Sequence, residues 1–479
     1  MKCPIRLIIK DCASDWAGWT RQQRSGDGIQ HTSDIEAIYK LFSQWIEEDH
    51  FVMYKSKQFA RKAVAGLGVL ACAGLAHAAP EGNLSAAQAM EVVTVRGSDL
   101  AALQGQSFSD YSVMVVSGDK LAAIPFQFDD VNERGFPYVP GGKLKINGTE
   151  GKLDDKDELV FMLKDTGPKA SPEMLSAAGK VVSELKLSDG GVTGYAYVVQ
   201  GNAERSDKVY ARYDQKTGLV KTENWSLQLD PNKPLSWSDL KVKTFKEDRS
   251  ILDTMKLRVR AKLGFIRATI NNNMVPNKVI AVKNGPVRSI VEADASISIL
   301  GIQLLSAAAD FVASANSFEV PVLATIPSAA SALSDLAIEI SLDFHELDGA
   351  MVRSALTTQP IISGKKAAQP LKASLKDNWL SGSHPDGFDI GAFFSVTPGV
   401  KANLDALYKD AGNGDEPDEP ERFKGSHPQV GWAVTDIPTG VDLDLIVKLY
   451  FGDNLWKGND PTAAMKELST PVKAQVTAL

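Results

Sequence analysis

Cysteine is nearly absent. The three in this 479-residue chain, Cys3, Cys12 and Cys72, all lie near its front. Whatever lies beyond Cys72 can form no disulfide, use no catalytic thiol, bind no zinc through cysteine and attach no haem through a CxxCH motif. Histidine is almost as scarce, with only His77, His345, His384 and His427 in that later part. It also carries no glycine-rich phosphate loop, GxSxG elbow or dinucleotide fingerprint, which removes the enzyme classes that depend on them. Tandem repeats of the solenoid or propeller kind are missing as well. No apolar run reaches the roughly 20 residues that a membrane-spanning helix needs.

The most apolar run, Ala63–Ala76, follows Lys55, Lys57, Arg61 and Lys62 and ends in the small pair Ala76 and Ala78. A basic start, a short apolar run and small residues at the cut make an export signal. The pattern predicts a signal peptide over residues 53–78, cleavage after Ala78, and a non-native upstream extension over residues 1–52. A buried amphipathic helix would interleave polar residues with its apolar stripe, and this run does not. Val69-Leu70-Ala71-Cys72 loosely resembles a lipobox, so a lipoprotein anchored through Cys72 is the alternative, with Leu70 a poor fit. The expected location is periplasmic or secreted, in a bacterial envelope.

Without residues 1–78 the chain keeps 42 Lys and Arg against 51 Asp and Glu, a net charge of −9. That balance argues against nucleic acid or an anionic membrane as partner. No transmembrane span is expected in the mature chain. At about 400 residues it is too long for one ordinary core, so two domains are expected.

Apolar residues recur with period 2 rather than 3.6. Short candidates are Val92–Arg96, Tyr111–Val116, Ala122–Phe128, Leu159–Leu163, Val181–Leu187 and Tyr195–Gln200, separated by turn clusters such as Ser188-Asp189-Gly190-Gly191. Longer ones follow. Met255–Leu263 sets Lys256, Arg258, Arg260 and Lys262 against Leu257, Val259, Ala261 and Leu263. Ala337–His345 sets Glu339, Ser341, Asp343 and His345 against Ile338, Ile340, Leu342 and Phe344. Each reads as an antiparallel strand with one wet face. The predicted class is all-β with few helices: an N-terminal antiparallel β-sandwich domain over residues 79–230 and a larger, supersandwich-like one over 240–479. The boundary falls in the Pro/Asn/Ser-rich zone Asp230–Asp239. The acidic segment Asp410–Glu421 reads as a solvated loop, too polar to pack.

Three groups of residues could carry chemistry. The first is acidic: Asp129, Asp130, Asn132, Asn147, Asp154, Asp155, Asp157 and Glu158. Calcium takes several oxygens from a flexible loop with a glycine at its sharp turn. Asp130-x-Asn132-x-x-Gly135 starts such a loop, but Gly141 stands where the closing glutamate belongs. Ca2+ is therefore a candidate cofactor, set against simple Asx-turn chemistry. The second group is the repeated tetrapeptide Gly382-Ser383-His384-Pro385 and Gly425-Ser426-His427-Pro428. With His345 it could form a three-histidine metal site; otherwise both copies are turns leading into strands. The third is the charged strand rows. Arg258 and Arg260 could fork onto a carboxylated or sulfated glycan. Two of Glu292, Asp294, Glu339 and Asp343, or His345 with one of them, could flank a sugar bond as acid and base. Trp379 and Trp432, with Trp456, are candidate aromatic platforms.

Two stretches bear a resemblance. "IPFQFDDVNERG…LDDKDELVFMLKDTG" resembles the N-terminal module of a loose group of secreted bacterial β-sandwich proteins without assigned function. "VIAVKNGPVRSIVEAD", residues 279–294, resembles a strand of carbohydrate-active β-sandwiches of the galactose-mutarotase-like type. The resemblance implies fold and compartment, and no catalytic residue of that superfamily can be matched here. The expected function is non-enzymatic binding of a glycan or another extracellular polymer. The alternatives are a carbohydrate-active lyase or hydrolase and a structural or accessory envelope protein with a protein partner.

Overall fold

Strands dominate because side chains alternate between a core and a second face, as they do along Trp225–Asp230, where every other residue is buried. The computed structural model describes residues 79–246, 249–410, 420–423, 428–453, 455–456 and 460–479. The expected signal peptide, the extension before it, Cys72 and His427 lie outside those residues. Only two α-helices occur among the described residues, the short Pro172–Ala177 and Thr462–Leu468. None of their helices is long and apolar enough to cross a membrane.

The first half is a small sandwich. Tyr111–Ser117, Lys120–Ala123, Lys180–Asp189 and Val192–Gln200 form an antiparallel sheet, which the C-terminal strand Ala474–Ala478 completes. A three-stranded sheet of Val92–Arg96, Glu158–Met162 and Phe126–Asp129 faces it. Val93, Val95, Phe128 and Phe161 of the smaller sheet meet Val113, Leu185 and Val198 of the larger. The expected single strand Ala122–Phe128 is two strands, Lys120–Ala123 in one sheet and Phe126–Asp129 in the other. Pro125 stands in the gap, where its missing N–H and fixed φ suit a chain leaving one ladder for the next.

The second half packs a nine-stranded sheet against a five-stranded one, here termed the front sheet. The front sheet runs in the order Ile266–Asn271, Leu252–Leu263, Ser334–Phe344, Gln429–Thr435, Asn403–Lys409. At the centre of the other lie Ser289–Ile299, Ile302–Ala313, Ser317–Ile326 and Val441–Gly452. A four-stranded meander, Ala211 to Val242, sends Trp225 and Trp237 into the same core, where both rings touch Phe318.

Composition and chain path part company at two places. The zone Asp230–Asp239 expected as a linker is largely strand, because Lys233–Val242 buries Trp237 and Leu240 in the large core. The last strand returns to the first-half sheet rather than staying with the second half. All described residues belong to one compact unit.

Candidate ligand face and buried charge centres

The two stretches whose sequences bear a resemblance meet in space. Asp129, fully buried at the end of Phe126–Asp129, accepts Lys283 Nζ at 2.7 Å on one oxygen and Arg288 Nε at 2.7 Å on the other. Arg288 also reaches Glu158 at 2.8 Å. Gln127 completes the centre. Its Nε2 donates to both Asp129 oxygens, and its Oε1 accepts the backbone N–H groups of Val287 and Arg288. Gly285 has to be glycine here, since a Cβ would lie 1.8 Å from Gln127 Oε1. Burial alone would raise the Asp129 pKa, but Arg288 and Lys283 overcome it and hold the carboxyl at about 2.

The rest of the acidic group serves the backbone. Asp130 accepts Gly151 N–H at 2.9 Å, and Asp157 accepts Val131 N–H at 3.0 Å and Asp154 N–H at 2.7 Å. Asn132 accepts the N–H groups of Arg134 and Phe136, and Asp154 accepts that of Lys156. Asn147 is half-buried beside Val131, whose carbonyl takes its N–H, and Asp155 is exposed. Most of these side chains are thus engaged by turns or by cations of the chain. Among the described residues no three His, Cys, Asp or Glu side chains are placed to hold a metal ion.

The basic row lies on the outer face of the front sheet, across from Ser341, Glu339, Ala337 and Ser334. It grades from sealed to open. Lys256, 3% exposed, binds Asp343 at 2.6 Å and Glu421 at 3.3 Å. Burial raises the Asp343 carboxyl to about 7 despite Lys256, with Asp253 and Glu421 adding to the rise. Arg258 is buried too and donates to the Leu257 carbonyl. Arg260, 45% exposed, grips Glu339 through both terminal nitrogens, and Lys262 meets Asp335. Exposed Arg267 stands opposite Lys262 on the edge strand. From Arg260 the register runs across Ala337 and Thr435 to Asn403, and from exposed Asp405 across Ala433 to Glu339, with Gly431 beyond Ala433 on the same strand face. Gly431 is fixed by space, since a Cβ would sit 2.1 Å from the Ile340 carbonyl oxygen. The acidic segment is not solvated throughout. Its ends are built in: Glu421 joins Lys256, and buried Asp410 accepts Gly364 N–H and Tyr408 OH.

The candidate acid and base residues fall into two sets. Glu292 and Asp294 lie on the nine-stranded sheet, whereas Glu339 and Asp343 lie on the front sheet. Both sets face away from the shared core, so the core separates them. His345 follows the strand end and stacks on Phe423 at 4.2 Å. Besides Asp294, a second carboxylate neighbours Glu292, and sequence reasoning missed it. Asp310 is its register partner, signalled by a lone acid in the apolar run Ala307-Ala308-Ala309-Asp310-Phe311. Both are buried beneath Val139–Leu144, where Lys143 N–H donates to Glu292. A Cβ on Gly142 would stand 2.1 Å from Glu292 Oε2, so the cover is tight. Neither Asp310 oxygen has a hydrogen-bond partner, and burial followed by Glu292 pushes its pKa well up. Asp294, more open, pairs with Lys143 at 2.7 Å.

The aromatic candidates are not platforms. Trp432 holds a core-side position of its strand against Phe394, because the alternation turns Val434 and Trp432 inward together. Trp456 is buried with Met465 and Leu468, and Trp379 packs on the same cluster. His384 ends strand Trp379–His384, stacks on Phe388 and accepts Asp386 N–H, so the first Gly-Ser-His-Pro copy is the end of a strand running into a hairpin turn at Pro385.

No family model matches this chain, and no curated protein matches it by sequence. Among solved structures it is similar to an α-mannosidase from Enterococcus faecalis V583, at 13% identity and a TM-score of 0.44 over 84% of this chain and 45% of that one. It is also similar to a heparan sulfate lyase from Pedobacter heparinus, at 10% identity and a TM-score of 0.32 over 58% and 43% of the two chains. A third is a protein from Escherichia coli K12 described as an aldose 1-epimerase, at 8% identity and a TM-score of 0.30 over 51% and 99%. The chain spans less than half the length of the mannosidase and of the lyase. The fold itself defines an all-β protein of packed antiparallel sandwiches.

Two pH effects follow. Asp129 is depressed from 3.8 to about 2, so its contribution is complete above about pH 4 and disappears as pH falls through 2. Chemical denaturation should show a loss of about 2 kcal/mol across that window, absent in Asp129→Asn. Asp310 is shifted the other way, so its contribution is present at low pH and is lost as pH rises through the raised value. Asp310→Asn should therefore gain on the wild type as pH rises above the ordinary carboxylate range, by about 1–3 kcal/mol in urea melts. A gap that does not widen with pH contradicts this.

Proposed function

We propose that the chain is an exported, non-catalytic binding protein for an anionic polymer, an acidic glycan being the ligand that fits best. The supporting observation is the outer face of the front sheet, where Arg260, Lys262 and Arg267 line a floor of small side chains. Guanidinium forks match carboxylate and sulfate groups, and the existing Arg260–Glu339 contact is the kind a ligand carboxylate would replace. With the mature chain at −9, attraction has to be local, which suits a repeating polymer that gathers several weak contacts.

The placement of the carboxylates favours binding over catalysis. Hydrolysis or elimination at a sugar bond needs two groups that reach the substrate together. The candidate carboxylates are divided between two sheets, and Glu292 and Asp310 are covered. Affinity electrophoresis in polygalacturonate or heparin, against neutral dextran, tests the reading. Retardation by the acidic polymers alone is expected, falling with salt and weakened about tenfold in Arg260→Ala/Lys262→Ala, or about 1.4 kcal/mol. Absence of retardation, or release of new sugar ends from the polymer, would overturn it.

A further inference from the structure

The front and nine-stranded sheets leave an internal cavity of about 150 Å3 between them. Its origin is local. Ala295, Ala307 and Ala309 of the nine-stranded sheet present short side chains, while Trp237, Phe311 and Trp432 close it around them. Protein interiors are packed like organic crystals, and voids beyond the size of a water molecule are few. Each lining atom gives up dispersion contacts that a larger side chain would supply. The lining is apolar nearly throughout, so water has almost nothing to bond there, and an apolar cavity of this size takes up benzene-sized guests.

We propose that this cavity is a binding site for a small uncharged apolar molecule, ring-sized. A sugar is excluded, since its hydroxyls would be stripped of water against a wall that cannot replace the bonds. The site is therefore separate from the charged outer face and does not rest on the polymer reading.

The test uses the full chain and benzene as probe, followed by calorimetry and by melting temperature. Benzene should bind saturably and raise the melting temperature. Ala307→Leu and Ala309→Leu fill the space and should each weaken uptake at least about tenfold. Xenon NMR on the unaltered chain gives a reading that needs no variant to fold, and a saturable shift is expected. Absence of saturable binding, or undiminished uptake in the filled variants, would overturn the assignment.

Discussion

A carboxylate with no access to solvent is the constraint on which this architecture turns. Removing an ion from water costs several kcal/mol unless cations and hydrogen bonds replace the lost solvation. Asp129 meets that demand with Lys283, Arg288 and Gln127, and the demand is geometric as well as electrostatic. Asp129 and Gln127 belong to the small sandwich, Lys283 to the nine-stranded sheet and Arg288 to the turn between two of its strands. Neither half can satisfy the charge alone. Apolar contacts beside the ion pairs, Val160 and Met162 on Val287 and Ala315, make the same junction from the hydrophobic side. Folding of the halves is thereby coupled, which is the physical content of finding them in one compact unit.

The same logic sorts the remaining charges. Where a charged strand face is covered, ion pairs close on themselves, as at Lys256 with Asp343 and Glu421. Where it is open, as at Arg260 and Arg267, the cations are available to exchange an internal partner for an external one. Exposed ion pairs are worth little to stability, so releasing one toward a ligand carries a small penalty. A single strand, Leu252–Leu263, carries both regimes, and what changes along it is cover rather than residue type.

Period-2 alternation made the strands legible, because one face meets a core and burial enforces the register. Val92–Arg96 is a strand with the predicted bounds, and the long strands around Met255 and Ala337 extend only a few residues beyond expectation. Sheet partnership was less legible, since nothing local in Ala474–Ala478 says that it will pair with Lys180–Asp189. Site chemistry was least legible. Asp129 and Arg288 each stood out in a distinctive stretch, but that they belong to each other depends on tertiary approach across 159 positions. Trp432 had the composition of a platform and the parity of a core residue, and parity decided. Asp310 carried a signal in its apolar neighbours, yet its partner Glu292 is set by the hairpin register.

The central claim is that the Asp129–Arg288 contact joins the two halves and is not one weak contact among many. A double-mutant cycle on Asp129→Asn and Arg288→Met, read by urea denaturation at neutral pH, measures it directly. Either change alone leaves the other group buried and uncompensated, at about 3–5 kcal/mol for the loss of the arginine. The account predicts a coupling energy of about 2 kcal/mol or more, with the double variant less damaged than the sum of the singles. Additive losses, with coupling below about 0.5 kcal/mol, would contradict it.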